Sequence, residues 1–255
     1  MDWSAERYTA FEEERTRPVR DLLSAVPGPV HAAIDLGCGP GNSTEALLAR
    51  FPGASVSALD SSPGMVEAAR ARLPDLEVTV GDVRDWDAPG PFGLILSNAV
   101  LHWVPGHAAL LPRLAAKLAP GGSLAVQMPD NLDEPAHRLM REVAADGPWA
   151  AALASAAGAQ TPRATPSGYY AMLRPHCSRV DVWRTTYHHV LAGGADAIVA
   201  WFEGSGLRPF LAPLDTDHRA AFLARYRDGI AAAYPALPDG SVLLPFPRLF
   251  IVATR

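Results

Sequence analysis

Between Ala32 and Met128 short apolar runs alternate with segments whose apolar residues recur at helical spacing, which predicts βαβ units and a parallel sheet. The first strand is Ala32-Ala33-Ile34-Asp35-Leu36, ending in glycines. Asn42 to Arg50 follows as a helix with a capping residue and an acid, Glu45, in its first turn. Ala54 to Leu59 is a second strand, ending at Asp60, and Ser62-Pro63 opens a helix to Leu73 with proline at its first position. Glu77 to Val80 is a short strand ending at Gly81-Asp82. A buried strand, Phe92 to Ser97, a helix, His107 to Leu118, and a fifth strand, Gly122 to Met128, complete this half.

The alternation then stops. Asp133 to Ala157 is helical and alanine-rich, and Ala159 to Ser167 is a polar loop with proline. Arg179 to Tyr187 alternates like a strand, Ala195 to Phe202 and Asp217 to Ala233 are two more helices, and Pro247 to Thr254 is a closing strand. The expected fold class is α/β: a doubly wound, mostly parallel seven-stranded sheet with helical segments inserted between its late strands.

Composition narrows the function classes. The chain has 255 residues, enough for a full core in one large domain. A net charge of −5 argues against a general electrostatic grip on nucleic acid or an anionic membrane. Two cysteines make no disulfide framework, no Cys/His cluster has metal-ligand spacing, and no apolar run approaches a membrane span. The polar start, Met1-Asp2-Trp3-Ser4, lacks the apolar stretch of a signal peptide, so a soluble cytoplasmic protein is expected. Lys117 is the only lysine, so any anion site built from side chains here uses arginine forks, which suit carboxylates.

The strongest local signal is Asp35-Leu36-Gly37-Cys38-Gly39-Pro40-Gly41 between a strand and a helix. Glycines permit a tight turn and close approach of a ligand, the helix start offers unpaired N–H groups, and ligands of open α/β sheets bind at this end of the strands. The G-x-G-x-G spacing is not the dinucleotide fingerprint, which disfavours a nicotinamide oxidoreductase, and no Gly-Lys-Ser/Thr follows to make a phosphate loop. Asp60 ends the second strand, where a carboxylate can accept from a ribose diol, Asp82 ends the third, placed to accept from an adenine amino group, and Asn98 lies just past the fourth. Each acid alone also fits a helix cap or a solvated position; three at successive strand ends beside a glycine loop favour a ligand. A cofactor-sensing protein without activity would be expected to have a broken loop or no ribose acid.

These blocks, with Val83 and Pro120-Gly121-Gly122, resemble the motif set of class I S-adenosylmethionine-dependent methyltransferases. The resemblance covers about the first half of the chain. It implies S-adenosyl-L-methionine as cofactor, with S-adenosyl-L-homocysteine as product, held by Asp35, Gly37, Cys38, Gly39, Gly41, Asn42, Asp60, Ser61, Met65, Asp82, Val83 and Asn98. The loop would face the methionine portion, Asp60 the ribose, and Asp82-Val83 the adenine; Met65 is read equally as an adenine contact or a core residue. It also implies a cofactor-binding core over 1–128, lid insertions over 129–176 and 191–242, and closing sheet strands over 178–190 and 243–255, in one domain over 1–255. Blocks along the whole chain, among them Glu14-Arg15, Arg17-Pro18, Asp130-Asn131, Val182-Trp183-Arg184, Gly206-Leu207-Arg208-Pro209 and Phe246-Pro247-Arg248, are similar to the trans-aconitate 2-methyltransferase subfamily. The alanine-rich stretch Ala150 to Pro166 departs from that pattern.

That resemblance implies methyl transfer to a carboxylate of a small tricarboxylate, giving a monomethyl ester; another small carboxylate or a secondary metabolite is the alternative acceptor. A carboxylate is already ionised at neutral pH, so no catalytic acid or base is expected, and no metal. Alignment and desolvation carry the reaction. Candidates to hold the acceptor are Arg15, Arg17, Arg184, Arg208 and Arg248, with His102-Trp103 after the fourth strand, Trp3 and Tyr8 from the N-terminal segment, Tyr170, and Tyr187. Strand alternation puts Trp183 and Tyr187 on one side and Arg184 on the other. No nucleic-acid or membrane partner is expected, and the protein is expected to be a monomer or weak homodimer.

Overall fold

The computed structural model describes residues 12–157 and 163–255, so Trp3 and Tyr8 lie outside the described residues. Seven strands, β1 (Ala32–Leu36), β2 (Ser55–Asp60), β3 (Glu77–Val80), β4 (Phe92–Asn98), β5 (Leu118–Pro129), β6 (Arg179–Ala192) and β7 (Ser241–Thr254), form one sheet in the order β3-β2-β1-β4-β5-β7-β6. The ladders joining β3, β2, β1, β4 and β5 are parallel. β1 and β4 read as nearly continuous apolar runs because both of their faces are covered. The chain leaves β1 toward β2 on one side and returns to β4 on the other, so a crevice opens at the carboxyl ends of β1 and β4.

By its internal contacts the chain divides into two units. The first comprises the described residues of 1–129, 163–185 and 249–255; the second those of 130–162 and 186–248. In the first, α1 (Glu12–Ser24), α2 (Asn42–Arg50), α3 (Pro63–Arg72), a 3-10 turn (Leu101–Trp103), α4 (His107–Ala116) and α7 (Pro166–Leu173) accompany the strands. Its main core joins Leu36, Ile95, Leu111, Leu114, Leu124 and Ile251 with Tyr169 and Leu173 of α7. The stretch 163–176 therefore belongs to the cover of the sheet, not to an inserted lid, and Thr165 starts its helix by accepting from the Gly168 N–H at 3.1 Å. Two other expectations are corrected. Helix α2 is capped by Gly41, while Asn42 lies inside it and donates to Thr16 of α1 at 3.4 Å. Strand β5 starts at Leu118, because a register shift between Phe92 and Leu94 folds the Pro120-Gly121-Gly122 turn into the strand as a bulge.

The second unit contains α5 (Pro135–Ala145), α6 (Ala150–Ala157), α8 (Gly194–Glu203), α9 (Arg208–Leu211) and α10 (Thr216–Ala233). The single helix expected over 133–157 is two helices, since Pro148 has no N–H to continue the ladder. Trp149 turns back to donate its indole N–H to the Val143 carbonyl at 2.7 Å and packs edge-on against Phe222, which stacks on Phe210.

The bulge in β5 tolerates no side chain at Gly122, where a Cβ would stand 2.5 Å from the Phe92 carbonyl oxygen. Gly122→Ala is expected to lower unfolding free energy by about 1–3 kcal/mol, because backbone rather than a flexible side chain must yield. Urea denaturation checks this; an unchanged midpoint would show that the β4–β5 bulge is not tightly registered.

Candidate active site

Asp35, the fourth residue of β1, is fully buried. Its Oδ2 accepts from the hydroxyls of Ser43 at 2.6 Å and Thr44 at 2.7 Å, both in the first turn of α2. Its Oδ1 has no hydrogen-bond partner among the described residues. Burial pushes the Asp35 pKa up to about 6 against the two hydroxyls, which lower it; the charge of Asp60 adds a smaller push upward. Between Asp35 and α2 the glycine loop turns sharply. The N–H groups of Gly37 and Cys38 both donate to the Leu59 carbonyl of β2, at 2.8 and 3.0 Å. Gly37 has φ +82°, and a Cβ there would lie 2.3 Å from a Val100 methyl.

Asp60 is tied into this loop. Its Oδ2 accepts from the Gly39 N–H and its Oδ1 from the Ser62 N–H, each at 2.9 Å, so it splints the loop to the start of α3. A carboxylate has about four acceptor sites, which leaves capacity for a diol. Asp82, placed by the sequence to accept from an adenine amino group, is engaged here by a neighbouring arginine. Arg84, two residues on in the same turn, meets both its oxygens through Nε at 3.0 Å and a terminal nitrogen at 2.6 Å, and this pairing lowers the Asp82 pKa. Val83 and Met65 are buried, Ser61 is exposed, and Cys38 is buried in a small cluster with Ala58, Val66, Ala69 and Val78, where burial raises its thiol pKa.

Asn98 ends β4, buried, with its Oδ1 lacking a partner among the described residues. The next residue, Ala99, takes φ +55°, a left-handed conformation uncommon outside glycine. Two orphaned acceptors at adjacent strand ends cost about 1–3 kcal/mol each unless a ligand donates to them. They therefore fit a group bearing N–H or O–H donors, as the donor-rich ends of S-adenosylmethionine are.

The acceptor candidates fall on both units. In the first, His102 and Trp103 sit on the 3-10 turn after β4 with ring centroids 4.8 Å apart. Tyr170 is exposed on α7 while Tyr169 points into the core. Arg184 is exposed on β6; Trp183, on the other face, stacks on Phe250 at 5.0 Å. Arg15 and Arg17 lie on α1, and Arg17 is exposed. In the second unit, Tyr187 and Arg248 are buried, the Arg248 guanidinium lies 4.8 Å from the Phe246 ring centre, and Arg208 opens α9 half-buried. Sequence reasoning passed over Ser43, Thr44 and Val100 as site residues. Of these, the hydroxyl pair at the start of a helix facing a strand acid was visible as a pattern.

The sequence matches the family described as "Methyltransferase domain" over residues 33–122. It is 57% identical to the trans-aconitate 2-methyltransferase of Methylobacterium nodulans, over 100% of this chain and 98% of that one. It is 54% identical to the enzyme of the same name from Rhizobium meliloti, over 100% and 99%. The fold is similar to the YcgJ protein of Bacillus subtilis, with TM-score 0.60 and 12% identity over 94% of this chain and 98% of that one. It is also similar to a putative methyltransferase of Bacillus halodurans, with TM-score 0.57 and 14% identity over 93% and 98%.

Gly37→Ala is expected to destabilise by about 2–5 kcal/mol, from the left-handed backbone and the overlap with Val100 together. Adding Val100→Ala should return the steric share only, read from denaturation midpoints. The acid beside it has a pH signature. Because the folded pKa of Asp35, about 6, lies above its ordinary 3.8, its ionisation disfavours the fold: the cost is absent below pH 4 and fully present above pH 6. Relative to Asp35→Asn, the wild-type protein should lose about 3 kcal/mol of stability between pH 3 and pH 7. A flat difference between the two would contradict the burial of this charge.

Proposed function

The chain belongs to the trans-aconitate 2-methyltransferase family of S-adenosylmethionine-dependent methyltransferases, and from that premise we propose that it methylates a carboxylate of trans-aconitate, giving the monomethyl ester. The observation that carries the substrate is the identity of 57% over the entire chain, second unit included, with an enzyme of that name. When bound, S-adenosylmethionine supplies an electrophilic methyl group on a sulfonium.

The residues have separable tasks. The glycine loop, with Asp35 and Asn42, holds the methionine end, and the open Oδ1 of Asp35 takes its ammonium. Asp60 takes the ribose and Val83 bounds the adenine, with Asp82 available there once Arg84 gives way. Asn98 faces the donor from the end of β4. No residue takes a proton from the acceptor, whose carboxylates are ionised at neutral pH. What the chain contributes is alignment and exclusion of water, worth roughly 7–11 kcal/mol when the attacking oxygen is held in line. The cationic candidates for the tricarboxylate are Arg15, Arg17 and Arg184 in the first unit and, taken separately, Arg208 and Arg248 in the second. Arg248 is buried, with its guanidinium over the Phe246 ring. His102 and Trp103 border the acceptor from the turn after β4.

Transfer of labelled methyl to trans-aconitate, cis-aconitate, citrate and isocitrate, compared side by side, tests this. Trans-aconitate should be strongly preferred. Arg→Met changes at 184, 208 and 248 should each raise its KM by about 10- to 100-fold, the loss of a charge-assisted hydrogen bond. Cofactor binding without transfer to any of the four acids would overturn the substrate.

A further inference from the structure

His107, the first residue of α4, bridges two elements that carry acceptor candidates. Its Nε2 lies 2.8 Å from the carbonyl oxygen of Leu101, and its Nδ1 lies 2.9 Å from the hydroxyl of Tyr169. The carbonyl can only accept, so Nε2 carries the proton. With a single ring proton on Nε2, Nδ1 is the acceptor and the Tyr169 hydroxyl is the donor of that contact. Both anchors are packed in the core: Leu101 and Tyr169 are each 0% exposed and belong to the first unit's main cluster.

The residues beside the anchors are open. Trp103, two positions after Leu101, is 37% exposed and touches the His102 ring; Tyr170, next to Tyr169, is 46% exposed. One imidazole thus fixes the spacing between a 3-10 turn with only three residues of its own and the helix α7. The turn closes on two backbone bonds of its own, Trp103 N–H to the Val100 carbonyl and Val104 N–H to the Leu101 carbonyl, each at 2.9 Å. His107 adds a second donor to that Leu101 carbonyl from outside the turn.

We infer that His107 is a positioning residue for the acceptor: through Leu101 and Tyr169 it sets where His102, Trp103 and Tyr170 stand, without touching either substrate. This rests on the placement of the acceptor against the 102–103 turn proposed above. Loss of such a brace shifts contact residues by fractions of an ångström, which shows in acceptor binding and alignment before it shows in the cofactor. Glutamine can place an amide N–H where Nε2–H stands, whereas leucine offers no donor.

The test uses the full chain with three variants, His107→Leu, His107→Gln and Tyr169→Phe, and Trp103→Ala as a control. His107→Leu is expected to raise the KM for trans-aconitate at least about tenfold, with a smaller fall in kcat, and to leave the Kd for S-adenosylhomocysteine within about twofold. His107→Gln should recover most of the loss, and Tyr169→Phe should fall between. Nitrogen-15 NMR of the wild-type protein should show His107 as a single tautomer protonated at Nε2, a readout that needs no turnover. An averaged tautomer, an unchanged KM in His107→Leu, or equal changes in KM and cofactor Kd would overturn the role. Unchanged acceptor KM in Trp103→Ala, with the His107 signature intact, would instead overturn the acceptor placement.

Discussion

One buried carboxylate constrains the rest of the site. Asp35 stands inside the first unit, where an ionised acid is expensive, and two hydroxyls from the start of α2 hold one of its oxygens. That clamp fixes the distance between the end of β1 and the first turn of α2. The seven residues from Asp35 to Gly41 must then close the gap, which they do through a left-handed Gly37 packed under Val100. Asp60 repeats the device one strand over, binding the loop to the start of α3. The other Asp35 oxygen has no hydrogen-bond partner among the described residues.

This gathers the conformational cost at one place in the first unit. Acceptors on Asp35 and Asn98 that have no partner among the described residues, and a left-handed Ala99, gather at the carboxyl ends of β1 and β4, the two strands flanking the switch in strand order. The turn after β3 is held by a side chain from another element. Arg113 of α4 donates to the carbonyls of Val83, Arg84 and Trp86, pinning the turn that follows β3.

The parts legible in the sequence are those set by short-range pattern. β1, α2 and β3 have the bounds that periodicity and glycine breaks predicted, and the acids at the ends of β1 and β2 stand at the glycine loop. What could not be read depends on pairings across space. The bulge that starts β5 early follows from register with Phe92, and the engagement of Asp82 by Arg84 follows from the tightness of a turn. The His107–Tyr169 contact joins residues 62 positions apart, and no local signal marks it. Helix α7 was hidden because its small, proline-led sequence resembles a loop until Tyr169 and Leu173 are seen in the core.

We propose that Asp35 is held ready, in anionic form, for the cationic end of the donor. The most direct test is the pH dependence of S-adenosylmethionine affinity between pH 5 and 8. A cation at the open oxygen favours the ionised acid, so binding must expend free energy on deprotonation wherever the unliganded group, with its pKa of about 6, is protonated. The account predicts a Kd that is constant above about pH 6.5 and rises toward tenfold per pH unit below 6, with Asp35→Asn weaker and flat over that acidic range. A wild-type Kd that does not change between pH 5 and 8 would contradict it.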